Sequence, residues 1–231
     1  MQRRDFTSGL LILAGSMAAV CTRSAAGTTL TETDAASGIR TALERGAAAA
    51  VQLLGQPDGF LGNPKVRIPL PSFLNDAAKL LKLTGQQGRV DELVTAMNRA
   101  AEAAVPEARS LLVNAVRSMS VEDARGIISG GNDSASRFFA TKTRTALTDR
   151  FLPIVKRATE KVALADKYNA IAGKAAGLGL LGQKDANLQQ YVTARALDGL
   201  YLMIGEEEGE IRRDPIGSGS AILKKVFGSG R

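Results

Sequence analysis

Val90-Asp91-Glu92-Leu93-Val94-Thr95-Ala96-Met97-Asn98-Arg99-Ala100-Ala101-Glu102-Ala103-Ala104 decides the fold class. Val90, Leu93, Val94, Met97, Ala101 and Ala104 recur at intervals of three and four, which at 100° per residue makes one apolar stripe. Asp91, Thr95, Asn98 and Glu102 form a separate polar line. A half-buried strand would alternate instead, and the richness in alanine favours helix further. This is one amphipathic helix.

The same reading extends in both directions. Upstream, a helix starting near Asp34 carries Ile39, Leu43, Ala47, Ala50, Val51 and Leu54, with Gly55 where a C-terminal glycine belongs. A short helix is expected from Ser72 to Leu83. Downstream, Pro106 suits a first helical position and introduces Leu111, Leu112, Ala115, Val116 and Met119. Ser120-Val121-Glu122-Asp123 resembles a capping box. Asn132 or Asp133 should cap a helix carrying Phe138, Phe139 and Leu147, which Pro153 kinks or restarts. Leu164, Tyr168, Ile171, Ala172 and Ala175 suggest another helix. The last long helix begins near Asp185 with the stripe Leu188, Val192, Ala196, Leu200, Met203 and Ile204. After a break at Pro215 and Gly217, Ile222, Leu223, Val226 and Phe227 suggest a short terminal helix. The expectation is all-α: an irregular multi-helix bundle over residues 27–231, one domain with room for two lobes.

One stretch resists the pattern. Gly55-Gln56-Pro57-Asp58-Gly59 is a turn signal. The prolines and alternation of Val66-Arg67-Ile68-Pro69-Leu70-Pro71 require an extended strap, as an edge strand or polyproline segment.

Composition excludes much familiar chemistry. The 231 residues contain no histidine, no tryptophan and one cysteine, Cys21. Histidine- or cysteine-based triads and dyads, histidine-ligated metal sites and an internal disulfide therefore have no material in the helical domain. No cofactor and no metal are expected. Met1-Gln2-Arg3-Arg4-Asp5-Phe6, the short apolar run from Gly9 to Val20 and the small residues Ser24-Ala25-Ala26 read as a signal peptide over residues 1–26. Arg3-Arg4 with Phe6 resembles a twin-arginine signal. Cys21 as a lipoprotein cysteine is the minor alternative. No other run is long enough to span a bilayer. The expected location is the periplasm.

The net charge is +7; loss of the leader removes Arg3, Arg4, Arg23 and Asp5 and leaves 27 basic against 22 acidic residues, +5. The excess is dispersed and few aromatics accompany it, which argues against nucleic acid as partner. Weak peripheral contact with an anionic membrane surface stays open.

Several stretches together resemble a known bacterial family, the domain of unknown function 4197. They are Pro57-Asp58-Gly59-Phe60-Leu61, Val66-Arg67-Ile68-Pro69-Leu70-Pro71, Met97-Asn98-Arg99 through Pro106, Gly130-Gly131-Asn132-Asp133, Leu197-Asp198-Gly199-Leu200, Glu206-Glu207-Glu208 and Ile211-Arg212-Arg213-Asp214-Pro215. The resemblance implies an exported, mainly helical protein and supplies no activity.

Four places are candidates for recognition. Arg67 is the one charge in the apolar strap; it would hold a carboxylate or phosphate, or else a structural ion pair. Asn98 and Glu102, with Arg99 nearby, would line a cleft or face solvent. Gly130-Gly131-Asn132-Asp133-Ser134 could present amides to an anion, or be a plain turn. Glu206, Glu207, Glu210 and Asp214 cluster with Arg212, as a cation or acid–base site or as a solvated face with Glu208 and Arg212 paired. The leading reading is a non-catalytic binding module of the cell envelope, whose partner is an envelope protein or an apolar small molecule. The alternative is an enzyme using carboxylate, arginine or tyrosine groups in a helical cleft.

Overall fold

The computed structural model describes residues 32–160, 162–177 and 187–213. The leader with Cys21, the residue Asp214, the break at Pro215 and the helix expected around Ile222–Phe227 lie outside the described residues. Within them, α-helices run Glu32–Leu54 (α1), Asn75–Leu83 (α2), Gln87–Ala104 (α3), Ala108–Arg117 (α4), Val121–Ser129 (α5), Ser134–Thr159 (α6), Ala163–Gly177 (α7) and Leu188–Arg213 (α8). Single turns of 3-10 helix precede α2 and join α3 to α4, the latter at Pro106. No strand occurs among the described residues, so the fold is all-α.

α8 packs along α6, α1 and α3, and α3 also packs on α6. The stripes read from sequence are the contact surfaces. Ile39, Leu54, Leu93, Met97, Leu147, Leu188, Val192 and Leu200 are all buried, while Val94 is half-buried against the same core. Tyr168, Tyr191 and Tyr201 are core residues, with Phe73 edge-on to Tyr168 at 5.7 Å.

The helix starts follow local chemistry. Ser120 Oγ accepts the amide of Asp123 at 3.0 Å, and Asp123 Oδ2 accepts the amide of Ser120 at 3.1 Å, completing the capping box. α6 runs through Pro153 without restarting. Its N-terminus departs from expectation: Asp133 stands at the cap position but makes no side-chain cap bond. Glu208 of α8 replaces it.

Residues 55–71 cross the bundle as a strap between α3 and α8. The first part is a chain of turns and the part from Arg67 to Pro71 has no ladder partner, so the extended reading holds and the edge-strand reading does not. Gly59 permits the first turn: a Cβ there would lie 2.5 Å from the Leu53 carbonyl oxygen and 2.6 Å from that of Leu54. Asp58 takes the left-handed conformation, with φ of 67°, which short polar residues tolerate better than most.

Candidate functional site

Asn98 and Glu102 build the strap's seat. Both are buried, at 0% and 5% exposure, and neither lines a cleft nor faces solvent. Asn98 Oδ1 accepts the Ile68 amide at 2.8 Å while its Nδ2 donates to the Ile68 carbonyl at 2.9 Å. Glu102 Oε1 accepts the amides of Phe60 and Leu61, each at 3.0 Å. Its other oxygen receives Arg99 Nη1 at 2.7 Å, and Arg99 Nη2 reaches Asp58 at 2.8 Å. A loop pressed on a core carries amides that water cannot reach, and these side chains satisfy them. On the other side, Tyr191 donates its hydroxyl to the Pro69 carbonyl at 2.9 Å. Gly199 of α8 admits the strap: a Cβ there would meet Phe60 at 2.9 Å and Val66 at 3.2 Å.

The strap alternates as its sequence suggests. Val66 and Ile68 are buried and Arg67 and Pro69 are exposed. Between its outer edge and α8 lies a groove of about 350 Å³, with Lys65, Arg67 and Pro69 on one wall and Arg195, Asp198 and Leu202 on the other. Lys65 Nζ pairs with Glu206 at 2.8 Å, and Asp198 pairs with Arg144 of α6 at 2.8 Å. Arg195 lies over the Tyr191 ring at 5.3 Å, with its Nη1 4.0 Å from Asp198. The Arg67 guanidinium makes no hydrogen bond or ion pair among the described residues, so the structural-pair reading of this residue is set aside.

The acidic cluster divides. Glu206 faces Lys65, and Glu210 pairs with Arg213 at 2.6 Å. Glu207 turns toward α1, where its Cβ would be 3.4 Å from a Cβ on Gly46. Burial, then the neighbouring Glu210 and Glu206, push the Glu207 carboxyl above its ordinary range. No group of three or more potential metal ligands forms among the described residues. A second, more polar cleft of about 400 Å³ touches Lys65, Glu206, Glu210, Arg212 and Arg213.

The expected pair of Glu208 with Arg212 forms at 2.7 Å, but it is not the solvated surface pair that the spacing suggests. Glu208 is buried, its Oε1 accepts the Ser134 hydroxyl at 2.8 Å and its Oε2 accepts the Ala135 amide at 2.9 Å. Arg212 Nη2 binds Glu208 at 2.7 Å and also donates to the Ile127 carbonyl. The anion-binding position at the start of α6, just after the glycine loop, is thus already taken by this carboxylate. The one available signal was the i,i+4 spacing of Glu208 and Arg212, which an exposed pair shares.

The hydroxyls available for acid–base work are committed. Tyr201 OH sits 2.9 Å from Thr143 Oγ1, and burial raises its pKa further above the usual phenol value. Tyr191 OH is held by Pro69.

The chain belongs to the family described as a protein of unknown function (DUF4197), whose model matches residues 29–228. No curated protein and no solved structure matches it.

Proposed function

We propose that this protein is an exported, non-catalytic binding module of the cell envelope, and that its recognition site is the groove between the strap and α8. The observation that carries the reading is Arg67. The other charged residues of the groove each have an opposite charge within 4.0 Å, whereas this guanidinium, exposed and presented from an anchored strap, has none among the described residues. A guanidinium carried by a rigid wall is suited to hold a carboxylate or phosphate in two-pronged fashion. The anchoring supplies pre-organisation, because Asn98, Glu102 and Tyr191 set the position of the strap before any ligand arrives.

The leader supports export, and Arg3-Arg4 supports the twin-arginine route. An enzyme is the weaker reading. The hydroxyls of Tyr191 and Tyr201 are occupied, Glu206 and Glu210 are each paired with a cation, and Arg67, without a partner among the described residues, is a guanidinium that donates hydrogen bonds but accepts none.

Native mass spectrometry of protein purified from its own envelope tests the reading. The wild type should carry a bound mass that Arg67→Ala loses while keeping its helical signal. Equal retention by both would place recognition elsewhere. For the leader, replacing Arg3 and Arg4 by lysine should block export, and normal processing of that variant would rule out the twin-arginine route.

A further inference from the structure

We propose that the tip of the α2–α3 hairpin is a membrane-contact site, where Leu80 and Leu83 enter an anionic phospholipid bilayer while Lys79, Lys82 and Arg89 meet its headgroups. This site is separate from the strap groove and stands whether or not that groove binds a ligand.

The first observation is apolar exposure. Leu83 is 84% exposed and Leu80 63%, the highest values among the large apolar residues described. Three positions apart, they share one face of α2. The helix is held to the body from its other side: it packs on α3 and on the turn Ser72–Leu74, where Leu74 is buried and Phe73 lies edge-on to Tyr168. Thr84, Gly85 and Gln86 then reverse the chain into α3, with Gly85 in the left-handed region at φ of 73°. Leu83 ends α2 at this reversal and Leu80 is one turn behind it. Both leucines would gain by leaving water.

The second observation is the arrangement of charge. From Ala77 to Val90 the chain has no carboxylate, and Lys79, Lys82 and Arg89 are all exposed there. Asp76 belongs to the far end of α2, and Asp91 and Glu92 to the second turn of α3. The tip thus carries leucines with only cations beside them. That order complements a bilayer, which is apolar within and negative at its surface. Lysine stems lie along apolar surface while their ammonium groups stay at the headgroups.

The size of the patch separates a bilayer from a protein partner. Two leucines at a helix end are a small part of the roughly 800 Å² that each side gives to a stable protein interface, whereas a bilayer closes around a small point. No helix among the described residues is long and apolar enough to cross the membrane, so the contact is peripheral and reversible.

The test is co-sedimentation of the chain from Gly27 to Arg231 with vesicles of phosphatidylcholine alone, or of phosphatidylcholine and phosphatidylglycerol in equal parts. The wild type should bind the mixed vesicles more tightly, and less so as salt rises. Leu80→Asn and Leu83→Asn should each weaken binding about tenfold, and Lys82→Gln and Arg89→Gln about fivefold each. Lys142→Gln and Arg157→Gln, exposed on α6, should leave it nearly unchanged. All six side chains are exposed, and unchanged circular dichroism and Tm will show that the variants are folded. The sequence contains no tryptophan, so Leu83→Trp puts a single fluorophore at the tip. Its emission should move to shorter wavelength on the mixed vesicles, while that of Val121→Trp, at a 40% exposed position on α5, should not. Binding that is indifferent to both leucine variants, or weakened as much by the α6 variants as by the tip variants, is diffuse attraction and overturns the proposal. Equal binding to phosphatidylcholine alone overturns the anionic surface as partner. No binding to either vesicle overturns the proposal outright, as does self-association that Leu83→Asn abolishes, which would make this face an interface between two copies of the chain.

Discussion

The Glu208 carboxylate on α8 accepts the backbone amide of Ala135 on α6 at 2.9 Å, so the side chain of one helix caps the first turn of another 73 positions away. The opening amides of a helix have no partner within it, and a negative group is favoured there. Arg212, bridging from Glu208 to the Ile127 carbonyl, ties the end of α5 into the same knot.

Glu208→Ala should therefore be among the most damaging single changes. It leaves Arg212 partly buried without its carboxylate and the Ala135 amide without an acceptor. A loss of about 3 kcal/mol in urea unfolding is expected. Glu208→Gln, which keeps an acceptor of the same shape, should cost less. Equal, small losses for both would mean that water replaces the carboxylate without penalty.

Asn98→Ala should cost about 2–4 kcal/mol, because both polar groups of Ile68 lose their partner beneath the strap. Asp91 lies on the same polar line of α3 and is exposed. Asp91→Ala should shift stability by less than about 0.5 kcal/mol. Chemical denaturation of the pair measures the difference between two residues that sequence periodicity places together.

Glu207 gives a pH-dependent outcome. Its folded pKa lies above the unfolded one, raised by burial and by Glu210 and Glu206. The folded state therefore holds its proton more tightly, and stability falls as pH rises from the unfolded value through the folded one. Glu207→Gln removes that loss. Its Tm at pH 7 should exceed that of the wild type, by less than about 1 kcal/mol in stability because the group is only half-buried. The advantage should vanish near pH 4. A variant less stable than wild type at pH 7 would show that the carboxylate contributes favourably.

Thr193 is buried and its hydroxyl has no hydrogen-bond partner among the described residues. Valine has the same shape without the polar atom. Thr193→Val should be neutral or stabilising by up to about 1 kcal/mol, visible as a raised Tm. A clear destabilisation would mean that the hydroxyl is solvated or engaged in solution.

The helices were legible because each apolar stripe reports its own burial. Ile39 to Leu54 on α1 and Leu188 to Ile204 on α8 needed nothing beyond the spacing of their side chains. The strap's extended shape was legible from its prolines. What the pattern could not carry was the destination of polar residues. On a helical wheel Asn98 and Asp91 are equivalent, and only the strap, 30 residues upstream of Asn98 at Ile68, distinguishes them. Asp133 had the right chemistry at the right position for a cap, yet a carboxylate from α8 arrived instead. Such pairings join residues distant in sequence, and local periodicity holds no record of them.

The position of α8 has a consequence for how the chain acquires its shape. This last of the described helices closes the core by lying on α1, α3 and α6 at once, and its partners were all made earlier along the chain. The large sequence separations mean that loop-closure entropy precedes the reward of contact, which slows folding relative to bundles of sequential neighbours. Until α8 docks, the inner faces of α1 and α6 and the amide of Ala135 stand open together. α8 therefore acts as the latch that commits the fold, and a shortened chain lacking it would expose its apolar stripes and aggregate.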